Sequence, residues 1–515
     1  MKNDIEIAEL KAENEFLKQQ NQWLLAQLKL SNKRNFGASS EKLNADISAQ
    51  LSLFNEAEQE NDGENEPDIK DVKAYRRRKA GQVGIGKLPE DLPVEIIEHS
   101  LPGEDQFCPD CGEALHVMGR ETREELKLVP AKAVILRHET LTYSCRHCER
   151  RSEYVPMVKA KTPEPVIKKS FASPEAVAHI AYEKFVMGSP LYRQQQDWER
   201  KGIPLSRQTM SNWLIKASAD WLQPIYDRLK KQLISAEVLH ADETTVQVLR
   251  EDGRHAENKS YMWLYRTGAD ANNHIVLYDY QPGRSGDYAR DFLKGFKGYL
   301  HTDGLKGYHC KLPEDIIVVG CWAHVRRNFN DALMTLPKNV RKKSQAAEAL
   351  LRLGEIYKLE EEFRKFPEDN NFKARFEARK EHVKPLIDAF YEWCSLQTTM
   401  PGSPFKEAVT YCLNQKPWLD KFLLDGRLEI DNNRAERSIK PFVIGRKNWL
   451  FSNTPNGAHS SAILYSIIET AKENKVNPFD YLTFVFRNAP NWDIHNHPEV
   501  IDKLLPWNFT PNAAY

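Results

Sequence analysis

The spacing of apolar residues changes several times along this chain, and each change predicts a different element. Near the start, Leu10, Leu17 and Leu24 recur every seven residues, with Ile7, Asn14, Asn21 and Leu28 as the companion seam. That repeat predicts a coiled coil within residues 1–45, in which two seam asparagines lower stability but fix register and a two-stranded state. An amphipathic helix packed on its own domain is the alternative. From residue 237 the period shortens to that of strands, at 238–242, 261–265, 274–278, 299–303 and 316–321, with a helix over 288–293 after the third. Three strands, a helix and two further strands describe a mixed sheet covered by helices. Residues 325–424 return to helical spacing, with Ala349, Leu350, Leu353, Ile356 and Tyr357 on one face and Phe376, Val383, Leu386, Phe390 and Trp393 on another. The sheet domain resumes near 428, with a helix from 432 to 440 stopped by Pro441 and a last helix over 462–474.

Charge sharpens the divisions. Lys+Arg 73 against Asp+Glu 73 gives a net charge of zero, so the sign has to be read by segment. Between 56 and 71 stand Glu56, Glu58, Glu60, Asp62, Glu64, Glu66, Asp68 and Asp71 against a single base, Lys70. Such a run buries no core and predicts a disordered linker over 46–87. Arg76, Arg77 and Arg78 follow at once, as candidate phosphate contacts or as the solvated end of the linker. No apolar run approaches the roughly 20 residues of a membrane helix, and residues 1–30 are too charged for a signal peptide. The expectation is a cytoplasmic protein with no membrane partner.

Residues 158–235 are expected to be helical. Within them 205–214 follows the Lys201-Gly202 turn and an amphipathic helix, the pattern of a helix-turn-helix, with Arg207 as a DNA-contact candidate.

Of the eight cysteines, four form two CxxC pairs, Cys108 with Cys111 and Cys145 with Cys148, inside a strand-rich stretch over 88–157. Two such knuckles close one tetrahedral four-thiolate Zn²⁺ site with no open position, hence a structural metal. A redox CxxC explains only one pair and lacks the βαβ context.

The candidate catalytic residues are three carboxylates. Asp242 sits inside an apolar strand, Asp303 ends another before Gly304, and Glu436 lies in the polar run 431–437. A lone buried charge is costly, so acids at such positions imply a partner. Three together make a hard oxygen site for Mg²⁺ or Mn²⁺, and two ions there can drive phosphodiester chemistry. Arg434, Arg437, Arg446 and Lys447 surround Glu436 in sequence and suit phosphate binding. His240 and His301 each precede an acid by two residues, so alternation puts all four on one sheet face; core or supporting histidines are the better reading. Cys321 and His324 are candidate metal ligands, but two alone make a poor site, so they are read as packing and hydrogen-bonding groups near the acids. There is no P-loop, so no ATP-driven mechanism is supported.

The chain closely resembles the DDE transposases of the insertion-sequence sixty-six family of bacteria. The resemblance rests on 34–37 with 40–43, the paired CxxC, 239–244 around Asp242, 301–304 around Asp303, 321–327, the run 431–451 around Glu436, and 466–472. Lys306 and Asn453 depart from the usual pattern. The resemblance implies an α/β protein whose ribonuclease H-like catalytic core (236–330 and 426–480) is interrupted by an all-helical insertion (331–425), with a C-terminal segment at 481–515. It assigns the metal-binding triad to Asp242, Asp303 and Glu436. It also implies cleavage at element ends and transfer of the 3′ hydroxyl to target DNA, by a homodimer or higher oligomer with small accessory proteins. A transposase-derived DNA-binding regulator that no longer cuts, and a nuclease without transposition, are the alternatives.

Overall fold

The computed structural model describes residues 133–144, 150, 157–366 and 371–510. The predicted coiled coil, the acidic linker, Arg76, Arg77, Arg78 and all four CxxC cysteines lie outside them. The chain divides into two compact units, one of them Glu64–Thr162. In that unit β1 (Thr142–Ser144) pairs antiparallel with β2 (Met157–Lys159), Tyr143 opposite Val158.

The described part of the other unit begins with α1 (Pro174–Phe185), α2 (Leu191–Arg200), α3 (Arg207–Ala217) and α4 (Gln223–Ile234). Their starts follow capping chemistry: Ser173 Oγ accepts from the Ala176 amide at 3.1 Å, and Ser206 Oγ from the Thr209 amide at 3.1 Å. Between α2 and α3 the chain turns at Gly202, whose φ of +77° suits glycine.

A five-stranded sheet follows, formed by β3 (Val238–Gln247), β4 (Lys259–Thr267), β5 (Val276–Gln281), β6 (Gly298–His301) and β7 (Ile316–Val319). Its order is β5-β4-β3-β6-β7. The first three strands are antiparallel neighbours, while β6 and β7 run parallel to β3, so β3 is central. Two short helices, α5 (Gly286–Phe292) and α6 (Lys306–Lys311), supply the crossovers that parallel pairing requires.

Then comes the helical block: α7 (Trp322–Thr335), α8 (Lys338–Arg341), α9 (Gln345–Phe363), α10 (Asn371–Ala378), α11 (Lys384–Ser395) and α12 (Pro404–Leu419). It has its own core, in which Val325, Phe329, Leu353, Ile356, Val383, Ile387 and Phe390 pack together. The predicted apolar faces are those that turn inward. The chain returns through α13 (Asn433–Trp449), α14 (Pro455–Glu473) and α15 (Pro478–Asn488). Phe442, Tyr465, Ile467 and Val485 close over Leu264, Tyr265 and Tyr278 of the sheet in a second core.

Several boundaries differ from the sequence expectation, three of them in the segments that carry the acids or follow them. Pro441 does not stop α13, which runs on to Trp449; proline removes one hydrogen bond and kinks a helix, but burial of Phe442, Val443 and Gly445 holds the next turns in place. α14 starts at Pro455, capped by Thr454, rather than at 462, since its first turns carry small and polar residues that give no apolar period to read. Asp303 stands two residues past the end of β6 rather than inside it. No helix among the described residues is long and apolar enough to cross a membrane.

Candidate active site

Asp242 lies in the central strand opposite Leu264, its Oδ1 accepting the amide of Glu243 at 2.8 Å. Asp303 caps the loop after the neighbouring β6, Oδ1 accepting from the Leu305 amide at 2.9 Å. Because β6 runs parallel to β3, with His240 opposite His301, the two acids leave the sheet at corresponding places. Glu436 is buried in the first turn of α13.

The short segment before α13 sets that helix in place. Asn432 Nδ2 donates to the Ala241 carbonyl at 2.8 Å, its Oδ1 meets His240 Nδ1 at 2.9 Å, and its amide donates to Cys321 Sγ at 3.2 Å. His240 Nε2 is 3.2 Å from Glu429, which also holds Arg434 at 2.9 Å. At the far end of α13, Arg446 donates to Thr245 at 3.1 Å. A helix tied to β3 at both ends presents Glu436 to Asp242 in only one way.

The electrostatics record that meeting. Burial first, and then the charges of Glu243, Glu436 and Asp303, hold the Asp242 carboxyl well above the usual carboxylate range. Glu243, buried beside it, is pushed up to about 7 by burial and Asp303, against the pull of Arg284 at 2.7 Å and of the Tyr308 hydroxyl at 3.0 Å. Acids whose charges act on one another in this way suit a hard divalent cation, which would remove the repulsion. On the other side of Glu436 stand His324 Nδ1 at 3.8 Å from Oε1 and Arg327 Nη2 at 3.6 Å from Oε2. Burial and then the Arg327 charge lower the His324 imidazole to about 4, so it is neutral at pH 7.

The structure thus brings Asp242, Asp303 and Glu436 together. His240 and His301 stack behind them, buried, with ring centroids 4.4 Å apart. Of the DNA-contact candidates, Arg207, Arg437 and Lys447 are exposed. Arg434 is ion-paired with Glu429, and Arg446 is buried against Thr245. Four residues of the site carried no expectation: Glu243, Arg284, Tyr308 and Arg327. Glu243 had a signal, being a second acid next to Asp242 in an apolar strand, and Arg327 stands one helical turn after His324.

The chain also matches known proteins. Residues 169–460, more than half of the chain, match the model of the Transposase IS66 family. The chain belongs to the IS66 transposase family. Further family models match residues 105–149 (zinc-finger binding domain of transposase IS66), 466–507 (IS66 C-terminal element) and 23–97 (Transposase C of IS166 homeodomain). Among similar proteins of Sinorhizobium fredii, the uncharacterized protein y4qI is 29% identical, over 99% of this chain and 93% of its own length. The uncharacterized protein y4hP is 28% identical over 83% of this chain and 77% of its own. The Drosophila P element transposase strand transfer complex is a neighbour at 16% identity and a TM-score of 0.23, covering 64% of this chain and 86% of that one. A likeness so slight carries no weight for the fold. The IS66 zinc-finger match spans Cys108, Cys111, Cys145 and Cys148, consistent with zinc as the ion of that module.

Proposed function

We propose that this IS66 family member is a DDE transposase that binds the ends of its insertion sequence, cleaves DNA there and transfers the 3′ hydroxyl to target DNA. The observation that carries the reading is the meeting of Asp242, Asp303 and Glu436, which are 303 − 242 = 61 and 436 − 303 = 133 residues apart in the chain. Acids so far apart in the chain do not gather where Glu436 and Asp303 raise the pKa of Asp242 without a cationic ligand to justify the arrangement. The order β5-β4-β3-β6-β7 supports a ribonuclease H-like core, with α7 to α12 as the insertion before α13.

Mg²⁺ or Mn²⁺ at the triad would supply activation of the attacking hydroxyl and stabilisation of the leaving oxygen. The chain's own residues do the rest. Asn432 and His240 set the position of α13, and Arg327 orients Glu436. Arg437 and Lys447, exposed on the same helix, offer positive charge to the DNA backbone, and Arg207 does so from α3. Cys108, Cys111, Cys145 and Cys148 hold a structural Zn²⁺, the heptads pair two copies, and the element's small accessory proteins join the complex on the bacterial nucleoid.

The test is a strand-transfer assay with the element's own ends, Mg²⁺ and the accessory proteins, comparing wild type with Glu436→Ala. Joined products from wild type alone are expected. Binding of the ends by both proteins without joining by either would replace the proposal with a regulator that does not cut.

A further inference from the structure

Carboxylate chemistry leaves unused two groups at the start of α7. Cys321 is buried at the N-cap position of that helix. His324 follows three residues later, so both side chains lie over the same turn. The Nδ1 of His324 is buried and has no hydrogen-bond partner among the described residues. A buried imidazole nitrogen left in that state is costly, and a bond to a ligand removes the cost. Both groups face Glu436: Cys321 Sγ, a His324 nitrogen and a Glu436 oxygen all lie within 4.8 Å of one another. Around a tetrahedral ion with bonds of about 2.0–2.3 Å, donor atoms stand roughly 3.3–3.8 Å apart. The 3.8 Å from His324 Nδ1 to Glu436 Oε1 is within a few tenths of an ångström of the roughly 3.3–3.6 Å that a nitrogen–oxygen pair takes. Small rotations of Cys321 and His324 close the remainder.

We propose that Cys321, His324 and Glu436 form a site for a thiophilic divalent cation, Zn²⁺ above all, and that its occupation withdraws Glu436 from the catalytic triad. The second half rests on the reading of Glu436 as the third catalytic carboxylate. Sulfur and imidazole favour Zn²⁺, whereas Mg²⁺ prefers oxygen, so the two ions divide the ligands around one glutamate by softness. On binding, the thiol proton of Cys321 leaves to solvent and the thiolate bonds the ion. The Asn432 amide, 3.2 Å from Sγ, is in place to stabilise that anion. Three protein ligands leave a fourth position open, unlike the closed four-cysteine site. Zn²⁺ bound there would make the site a zinc-responsive brake on the transposase.

The test uses the full chain with its four-cysteine site first filled with Zn²⁺, then titrated with Co²⁺ as an optical probe. Wild type is expected to take up one further ion with a thiolate-to-cobalt absorption band. Cys321→Ser should lose the band, and His324→Ala should bind about tenfold or more weakly. Superimposable spectra from folded wild type and Cys321→Ser would overturn the proposal; if Cys321→Ser does not fold, unchanged Co²⁺ affinity in His324→Ala overturns it instead. In the joining assay with Mg²⁺, added Zn²⁺ should inhibit wild type. Cys321→Ser, measured against its own uninhibited rate, should be about tenfold less sensitive. Equal sensitivity would overturn the competition for Glu436. A cobalt band without Mg²⁺-dependent joining in any protein would support the cation site and refute the transposase reading.

Discussion

Asp242 is a residue placed against its own stability. Burial and three neighbouring carboxylates all disfavour its charge, and nothing in the fold requires an acid in a central strand. Asp242→Asn is therefore expected to abolish joining while raising stability without divalent metal by about 1 kcal/mol, seen as a higher Tm. A lower Tm would mean that the carboxylate serves packing. Lys184 is a similar case away from the acids. Burial lowers its ammonium to about 8, and its neighbour is the ring of Trp449, 4.1 Å from Nζ to the centroid. Between about pH 8 and 10.5 the unfolded chain holds this proton and the folded one does not. Stability on this account rises with pH through that window and is lowest below it. Lys184→Met should stabilise at pH 7 by about 1–2 kcal/mol, a gain reduced by the lost cation–π contact. The gain should shrink as pH approaches 10.5; denaturant melts across the window read the difference.

At the scale of elements, the question is how a chain returns to its sheet after a long helical excursion. Arg379 ties the way back. Its guanidinium pairs with Glu360 at 2.7 Å and donates to the carbonyls of Phe422, Asp425 and Leu428 at 3.1, 3.0 and 2.7 Å, all in the segment leaving the block. Both charges are buried, so removing one leaves the other without compensation. Arg379→Ala should cost about 3–5 kcal/mol in urea unfolding, with the helical block losing structure first. The next stitch is Asn432, which joins β3, His240 and Cys321 just before α13. Asn432→Ala should cost about 1–3 kcal/mol, yet lower joining far more than stability, because Glu436 loses its register. Equal losses in Tm and joining would show that Asn432 acts only as glue. The loop after α13 is tied as well: Asn453 accepts from the Arg250 amide at 3.1 Å and is not in the left-handed region, so asparagine fits where glycine is usual.

For the whole molecule, the separation of Glu64–Thr162 as its own compact unit suggests that metal and sheet are lost independently. Chelating Zn²⁺ from the full chain should expose residues 100–150 to protease and leave the Tm of the α/β unit within a few degrees. Loss of the main transition on chelation would make the zinc module part of the larger fold.

Much of this protein was legible from local pattern. The strand order in sequence, the apolar faces around Leu353 and Phe390, and the acids at 242, 303 and 436 all stand out, because side-chain period and a charge in an apolar run are properties of neighbouring residues. What lay beyond sequence alone depended on contacts between distant segments. The continuation of α13 past Pro441 follows from the burial of Phe442 and Val443. The separation of exposed Arg437 and Lys447 from buried Arg446 and paired Arg434 follows from which face of α13 meets β3. Four basic residues in one run look alike until a sheet covers one side of the helix. Glu243 with Arg284 and Tyr308, and Cys321 with His324 and Glu436, belong to the same class. Residue types announce what chemistry is possible; only packing, which sets distance and dielectric together, decided which groups share it.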